Sequence, residues 1–145
     1  MKRVLTVCIG NICRSPLAEV ALKRALPAEG WQVWSAGLQA LVGLPADPTS
    51  RAIAQEQGLD LSAHRAQQFS AFMAQQADVI LVMEDLHTRL LLQAAPTARG
   101  KVFRLGHLGG YDIADPYRRP RAAFDTAWAG IAQGVQDWVP RLLRL

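Results

Sequence analysis

The sequence predicts an α/β domain whose four strands lie parallel in one sheet flanked by helices. Three observations carry this. Short apolar runs of strand length alternate with longer segments of helical spacing along all 145 residues. The run Val79-Ile80-Leu81-Val82-Met83 is uninterrupted, which suits a strand covered on both faces. Strands that alternate with helices build β–α–β units with right-handed crossovers.

The elements follow in order. Arg3–Val7 is a short buried strand, and Pro16–Leu26 is a helix with Pro16 at its first position, where a missing N–H costs nothing. Gln32–Ala36 is the second strand. Asp47 caps a helix that has Pro48 at N1 and runs to about Gln57, where Gly58 ends it. Ser70–Gln76 makes a helical turn or two, and Val79–Met83 is the third strand. Asp85 caps Leu86–Ala94, which Pro96 closes. Lys101–Leu105 is the fourth strand, Gly106–Pro120 a long loop, and the last helix runs from Arg121 to about Val139, ended or kinked by Pro140. Sites in such folds lie beyond the carboxyl ends of the strands, so Cys8, Ser35-Ala36-Gly37 and Glu84 belong on one rim.

Length and composition point to a single domain spanning residues 1–145, with half its residues hydrophobic and 19% charged. No apolar run has the length of a membrane span, so membrane insertion is not expected. The start, Met1-Lys2-Arg3 followed by Val4 to Ile9, is too short in its apolar part for a signal peptide and lacks a cleavage site. A cytoplasmic location is the expectation, and two cysteines suit a reducing compartment. The net charge of +4 makes nucleic acid a partner to consider. The arginines are dispersed, however, and no helix-turn-helix cue, RNP motif or zinc finger accompanies them, so nucleic acid is not expected either. The one cluster, Arg118, Arg119 and Arg121, reads as the solvated start of a helix or as a recruiter of acidic phosphopeptide.

The chemistry concentrates in Val7-Cys8-Ile9-Gly10-Asn11-Ile12-Cys13-Arg14-Ser15-Pro16. A strand feeds a tight loop, and the loop feeds a helix N-terminus, an arrangement that gathers backbone N–H groups around an anion. A thiol at the floor of such a loop has its thiolate, the reactive form, stabilised. Arg14, in the sixth position after Cys8, supplies a planar fork for two phosphoryl oxygens. Gly10 allows tight backbone, and Asn11 and Ser15 add local hydrogen-bonding groups. The residues read as a phosphate cradle, from Ile9 to Cys13 and Ser15, with Cys8 as nucleophile.

These residues resemble the signature of the low-molecular-weight protein tyrosine phosphatases. The likeness continues through Ser35-Ala36-Gly37, Ala46-Asp47-Pro48, His64-Arg65-Ala66 and Asp115-Pro116-Tyr117 and covers nearly the whole chain. Gly37-Leu38-Gln39-Ala40-Leu41-Val42-Gly43 and Gly100-Lys101-Val102 are most like the bacterial branch associated with tyrosine kinases of exopolysaccharide production. The resemblance implies the strand order 2-1-3-4 and hydrolysis of protein phosphotyrosine through a cysteinyl-phosphate, without cofactor or metal. It implies as partner a tyrosine-phosphorylated protein, the tail of such a kinase. It also makes Ser35 and His64 the supports of Asn11. From the residues alone, the proton donor for the leaving phenolate is open between Asp112 and Asp115; the Asp-Pro-Tyr match selects Asp115. Tyr117 becomes an aromatic wall, with Leu41 and Ile12 opposite. Arg118 stands where animal members carry a second tyrosine, which makes the rim more cationic.

His64, His87 and His107 lack ligand spacing, and His87 and His107 read as ordinary surface or partly buried residues. Trp31, Trp34, Trp128 and Trp138 read as packing. Cys13 is either a packing residue or a thiol that captures oxidised Cys8 as a disulfide. Three other functions share these features. A thiol-cascade arsenate reductase needs cysteines downstream of Cys13, and there are none; a version using a small external thiol stays open. Protein-arginine phosphatases resemble Gly-Asn-Thr-Cys-Arg-Ser in the cradle, where Ile12 here replaces the threonine. A non-catalytic phosphotyrosine-binding module would need neither the nucleophile nor the acid.

Overall fold

A computed structural model of Met1–Leu145 has four strands, β1 (Lys2–Cys8), β2 (Trp31–Gly37), β3 (Val79–Val82) and β4 (Val102–Arg104). Its five α-helices are α1 (Arg14–Ala25), α2 (Pro48–Glu56), α3 (Ala71–Gln76), α4 (Asp85–Ala94) and α5 (Arg121–Leu142). The strands pair in parallel in the order β2-β1-β3-β4, as expected. Lys2 lies opposite Trp31 and Cys8 opposite Gly37, while Val4 to Val7 pair with Val79 to Val82 on the other side.

Period-two alternation divides the side chains of β1 between two cores. Val4 and Cys8 face the larger one, built with Leu17 and Leu22 of α1 and Phe124, Ile131 and Trp138 of α5. Leu5 and Val7 face the smaller one, with Ala74 of α3 and Leu91 of α4. The chain leaves β1 toward β2 and then returns to β3 on the opposite side. Loops at the carboxyl end of β1 therefore diverge, and this switch point is where a crevice opens in such sheets.

Three local expectations need correction. Helix α1 starts at Arg14, with Cys13 as N-cap, so Pro16 is its third residue and not its first. The first turn has no intrahelical partner for its N–H groups anywhere, so proline is as harmless there as at N1. Helix α4 is capped by Glu84, and Asp85 is its first residue; Glu84 is the last residue with extended backbone after β3. Helix α5 continues through Pro140 to Leu142, because the hydrogen bond that proline removes falls in the final turn. The loop after β4 contains a 3₁₀ turn at His107–Gly109. No helix is long and apolar enough to cross a membrane.

Candidate active site

At the end of β1 the chain curls from Cys8 through Ile9–Cys13 into α1. Asn11 makes the curl possible by adopting φ 58°, a left-handed conformation that asparagine tolerates better than most residues. Its fully buried side chain is held from every side. Asn11 Nδ2 donates to Ser15 Oγ (2.8 Å) and Ser35 Oγ (3.0 Å), and Oδ1 accepts from the Gln67 amide (2.9 Å). Its carbonyl meets His64 Nε2 at 2.7 Å, so Ser35 and His64 lie behind the loop and brace it. Ser35 in turn donates to Glu19 at 2.7 Å. The loop can lie this close to β2 only because residue 37 is glycine: a Cβ there would collide with the Ile9 carbonyl and stand 3.0 Å from Asn11 Cβ.

The carbonyls of Cys8, Ile9 and Gly10 accept from the amides of Leu38, Gln39 and Leu41. The amides of Ile9 to Cys13 donate to no backbone acceptor. A run of free N–H groups in a tight loop is what an anion would satisfy. Cys8 Sγ lies at the floor, 3.0 Å from Ser15 Oγ. Since Ser15 Oγ already accepts from Asn11, its own proton is available to the sulfur.

Arg14 is buried, with 2% of its surface exposed. Nη1 donates to Glu84 Oε2 (2.5 Å) and to the Ile113 carbonyl (2.8 Å). Nη2 stands 3.8 Å from Asp115 Oδ2, and buried Nε has no partner. One edge of the guanidinium is thus anchored, and the Nε/Nη2 edge is left for an oxyanion.

Cys8, Arg14, Asp115, Ile12, Leu41 and Tyr117 line one cleft, together with Ile9, Gly10, Cys13 and Gln39. Asp115 sits at the mouth, its Oδ1 accepting from the Tyr117 amide at 3.0 Å. Asp112 is elsewhere: its Oδ1 accepts from Arg104 (2.9 Å) and from the Asp85 amide (3.2 Å). Geometry therefore separates the two aspartates that local sequence leaves equivalent.

Burial, then the negative charges of Asp47 and Cys8, push the Cys13 thiol up, so its thiolate is disfavoured and the resting residue packs in the core. The arginine cluster does not act as a unit. Arg121 pairs with Glu56 (2.6 Å) on α2 and Asp125 (2.8 Å) on its own helix, which ties α5 to α2. Arg118, at φ 61°, stacks its guanidinium 5.2 Å from the Tyr117 ring centre and stays on the rim of the cleft. Of the histidines, His107 is exposed and its ring lies beside those of Phe103 and Trp138, in line with an ordinary surface residue.

His87 departs from expectation: it is 1% exposed. Its Nδ1 accepts from the amides of Met83 (3.3 Å) and Glu84 (3.2 Å), and Nε2 lies 3.4 Å from Glu84 Oε2. A side chain at N3 reaching back to the N-cap amide is the reciprocal half of a capping box, and that spacing was the signal available in the sequence. Burial and then the Arg14 cation push the imidazole down to about 4, opposed by Glu84, Asp112 and Asp115. Between pH 6.5 and about 4 the unfolded chain protonates His87 and the folded one does not. Stability is therefore fully held above pH 6.5 and falls as pH drops through this window, by up to about 3 kcal/mol. Urea unfolding at pH 7 and pH 5 should show a smaller decline in His87→Asn than in wild type; equal declines would assign the pH dependence to the carboxylates.

Residues 3–144 match the family described as low molecular weight phosphotyrosine protein phosphatase. A probable low molecular weight protein-tyrosine-phosphatase, EpsP of Ralstonia solanacearum, is 48% identical over 145 residues, covering 100% of this chain and 99% of that protein. The structure of Vibrio vulnificus Wzb in complex with benzylphosphonate superposes with a TM-score of 0.92 at 41% identity, over 97% of this chain and 98% of that one. A YwlE arginine phosphatase from Geobacillus stearothermophilus has the same fold, with a TM-score of 0.91 at 30% identity over 99% of this chain and 94% of that one. With the fold, the tight loop after β1 and these matches in agreement, the chain belongs to the low molecular weight phosphotyrosine protein phosphatase family.

Proposed function

We propose that this protein hydrolyses phosphotyrosine in proteins through a cysteinyl-phosphate on Cys8. The observation that carries the reading is the free Nε/Nη2 edge of buried Arg14 in the same cleft as Cys8 and Asp115. In the first step the Cys8 thiolate attacks phosphorus as the bond from phosphorus to the phenolic oxygen breaks, and protonated Asp115 gives its proton to the departing oxygen. The loop amides and Arg14 hold the other three oxygens throughout. In the second step water attacks the cysteinyl-phosphate, Asp115 takes the water's proton, and Ser15 stabilises the thiolate that leaves. Ester and water become phenol and phosphate, and the enzyme is restored.

The walls favour an aromatic ester. Ile12, Leu41 and Tyr117 can sandwich a phenyl ring, whereas phosphoserine has no ring and would leave its phosphate short of Cys8. The same apolar Ile12 favours an aryl ester over a guanidinium, which counts against arginine phosphatase activity. The natural substrate we assign is the tyrosine-phosphorylated tail of a bacterial tyrosine kinase of exopolysaccharide production, met in the cytoplasm. Its support is the resemblance of Gly37–Gly43 to that branch and the relatives EpsP and Wzb, both named as protein-tyrosine-phosphatases. Turnover of matched phosphotyrosyl, phosphoseryl and phosphoarginyl peptides tests the class. The phosphotyrosyl peptide should be the fastest by at least about 10²-fold, the loss expected when an aligned nucleophile is displaced by about an ångström. Comparable rates would remove the tyrosine assignment, and arsenate reduction with glutathione in place of ester hydrolysis would replace it.

A further inference from the structure

The site described above does not account for His87, a fully buried titratable side chain outside the cleft. Its hydrogen bonds settle its protonation. Nδ1 faces two backbone donors, the amides of Met83 and Glu84, and must carry the lone pair. The single proton of the neutral ring is then on Nε2, which lies 3.4 Å from Glu84 Oε2. That same carboxylate oxygen accepts from Arg14 Nη1. The corner between β3 and α4 also holds the acid-bearing loop, because the Ile113 amide donates to the Met83 carbonyl (2.9 Å) while the Ile113 carbonyl accepts from Arg14.

Resting on the reading of Arg14 as the phosphate-binding residue, we propose that His87 is a positioning residue for substrate binding. As the Nε2–H tautomer it holds the Glu84 carboxylate against Arg14 Nη1 and so presents the free Nε/Nη2 edge to the phosphoryl oxygens. The backbone bonds at Nδ1 fix the ring, the ring fixes the carboxylate, and the carboxylate fixes the guanidinium. Without the Nε2 proton, Glu84, whose side chain is 29% exposed, is free to turn to solvent, and Arg14 keeps only the Ile113 carbonyl as an anchor.

Two substitutions separate positioning from folding. In His87→Asn the amide oxygen can take the place of Nδ1 and cap the two backbone amides, but nothing stands where Nε2 was. In His87→Gln an amide N–H can stand where Nε2–H was. His87→Asn should keep a melting temperature near that of wild type yet lose about 10-fold in affinity for inorganic phosphate and in kcat/KM for an aryl phosphate, as a displaced oxyanion clamp would. His87→Gln should recover most of both. In a Glu84→Ala background, His87→Asn should cost nothing further, since its route to Arg14 is already cut. A folded His87→Asn with wild-type phosphate affinity overturns the proposal, as does an undiminished loss in the Glu84→Ala background. Should His87→Asn fail to fold, ¹⁵N chemical shifts of His87 in the wild-type protein decide: an Nδ1–H tautomer overturns the proposal, and an Nε2–H tautomer supports it. If wild type binds phosphate but turns over no aryl ester, the phosphatase reading falls, and phosphate affinity still judges His87.

Discussion

Cys8→Ser should abolish hydrolysis of an aryl phosphate, with a loss of about 10⁴-fold or more, while inorganic phosphate still binds. A serine hydroxyl at neutral pH is not ionised and has no base beside it; Ser15 Oγ lies 3.0 Å from the sulfur, and a hydroxyl cannot deprotonate another. The cradle is untouched by the change, because the free amides of Ile9–Cys13 and the Nε/Nη2 edge of Arg14 do not depend on the sulfur. Turnover measured beside phosphate binding by calorimetry checks both halves. Substantial turnover in the variant would remove the covalent mechanism. Arg14→Lys should lose most of the activity and most of the binding. An ammonium placed there could pair with Glu84 or with the substrate, but it has no second edge to offer when the first is engaged.

Asp115→Asn should slow phosphotyrosine hydrolysis by about 10²–10⁴-fold, the range of a lost general acid. The phenol of tyrosine leaves with a pKa of about 10 and needs the proton. An ester of a much more acidic phenol should lose less, because its anion leaves unaided. The structure supports a sharp version of this experiment. The carboxamide oxygen introduced by Asp115→Asn could still accept from the Tyr117 amide at the position of Oδ1, so the turn around Pro116 should survive the substitution. A difference between the two esters then reports the proton. Equal losses would mean that Asp115 holds the loop near Arg14 and delivers nothing.

Much of this protein was legible along the chain because its main features are local. A strand, a tight loop and a helix start occur within Val4–Pro16, and the alternation of short apolar runs with helical segments follows from backbone periodicity alone. Those signals determined the parallel sheet, the tight loop proposed to hold phosphate and the placing of Cys8 and Arg14 in one cleft. The resemblance added the strand order, Asp115 over Asp112, and Ser35 and His64 as supports of Asn11. Helix boundaries were less legible. Proline is equally harmless throughout a first turn, so Pro16 did not reveal that Arg14 begins α1, and a proline in the last turn did not stop α5.

What tertiary structure alone decided is how Arg14 is held. Glu84 is 70 residues away in sequence and Ile113 is 99, and they reach the guanidinium only because β3 lies beside β1 and the loop after β4 folds back over both. The same long-range packing buried His87, which looked like a surface histidine, and drew Arg121 away from its neighbours to Glu56 on α2. Periodicity and turn chemistry act over a few residues. The charge and hydrogen-bond partners of a buried side chain are chosen by whichever strands and loops the sheet brings to it, so they become definite only when the chain has folded.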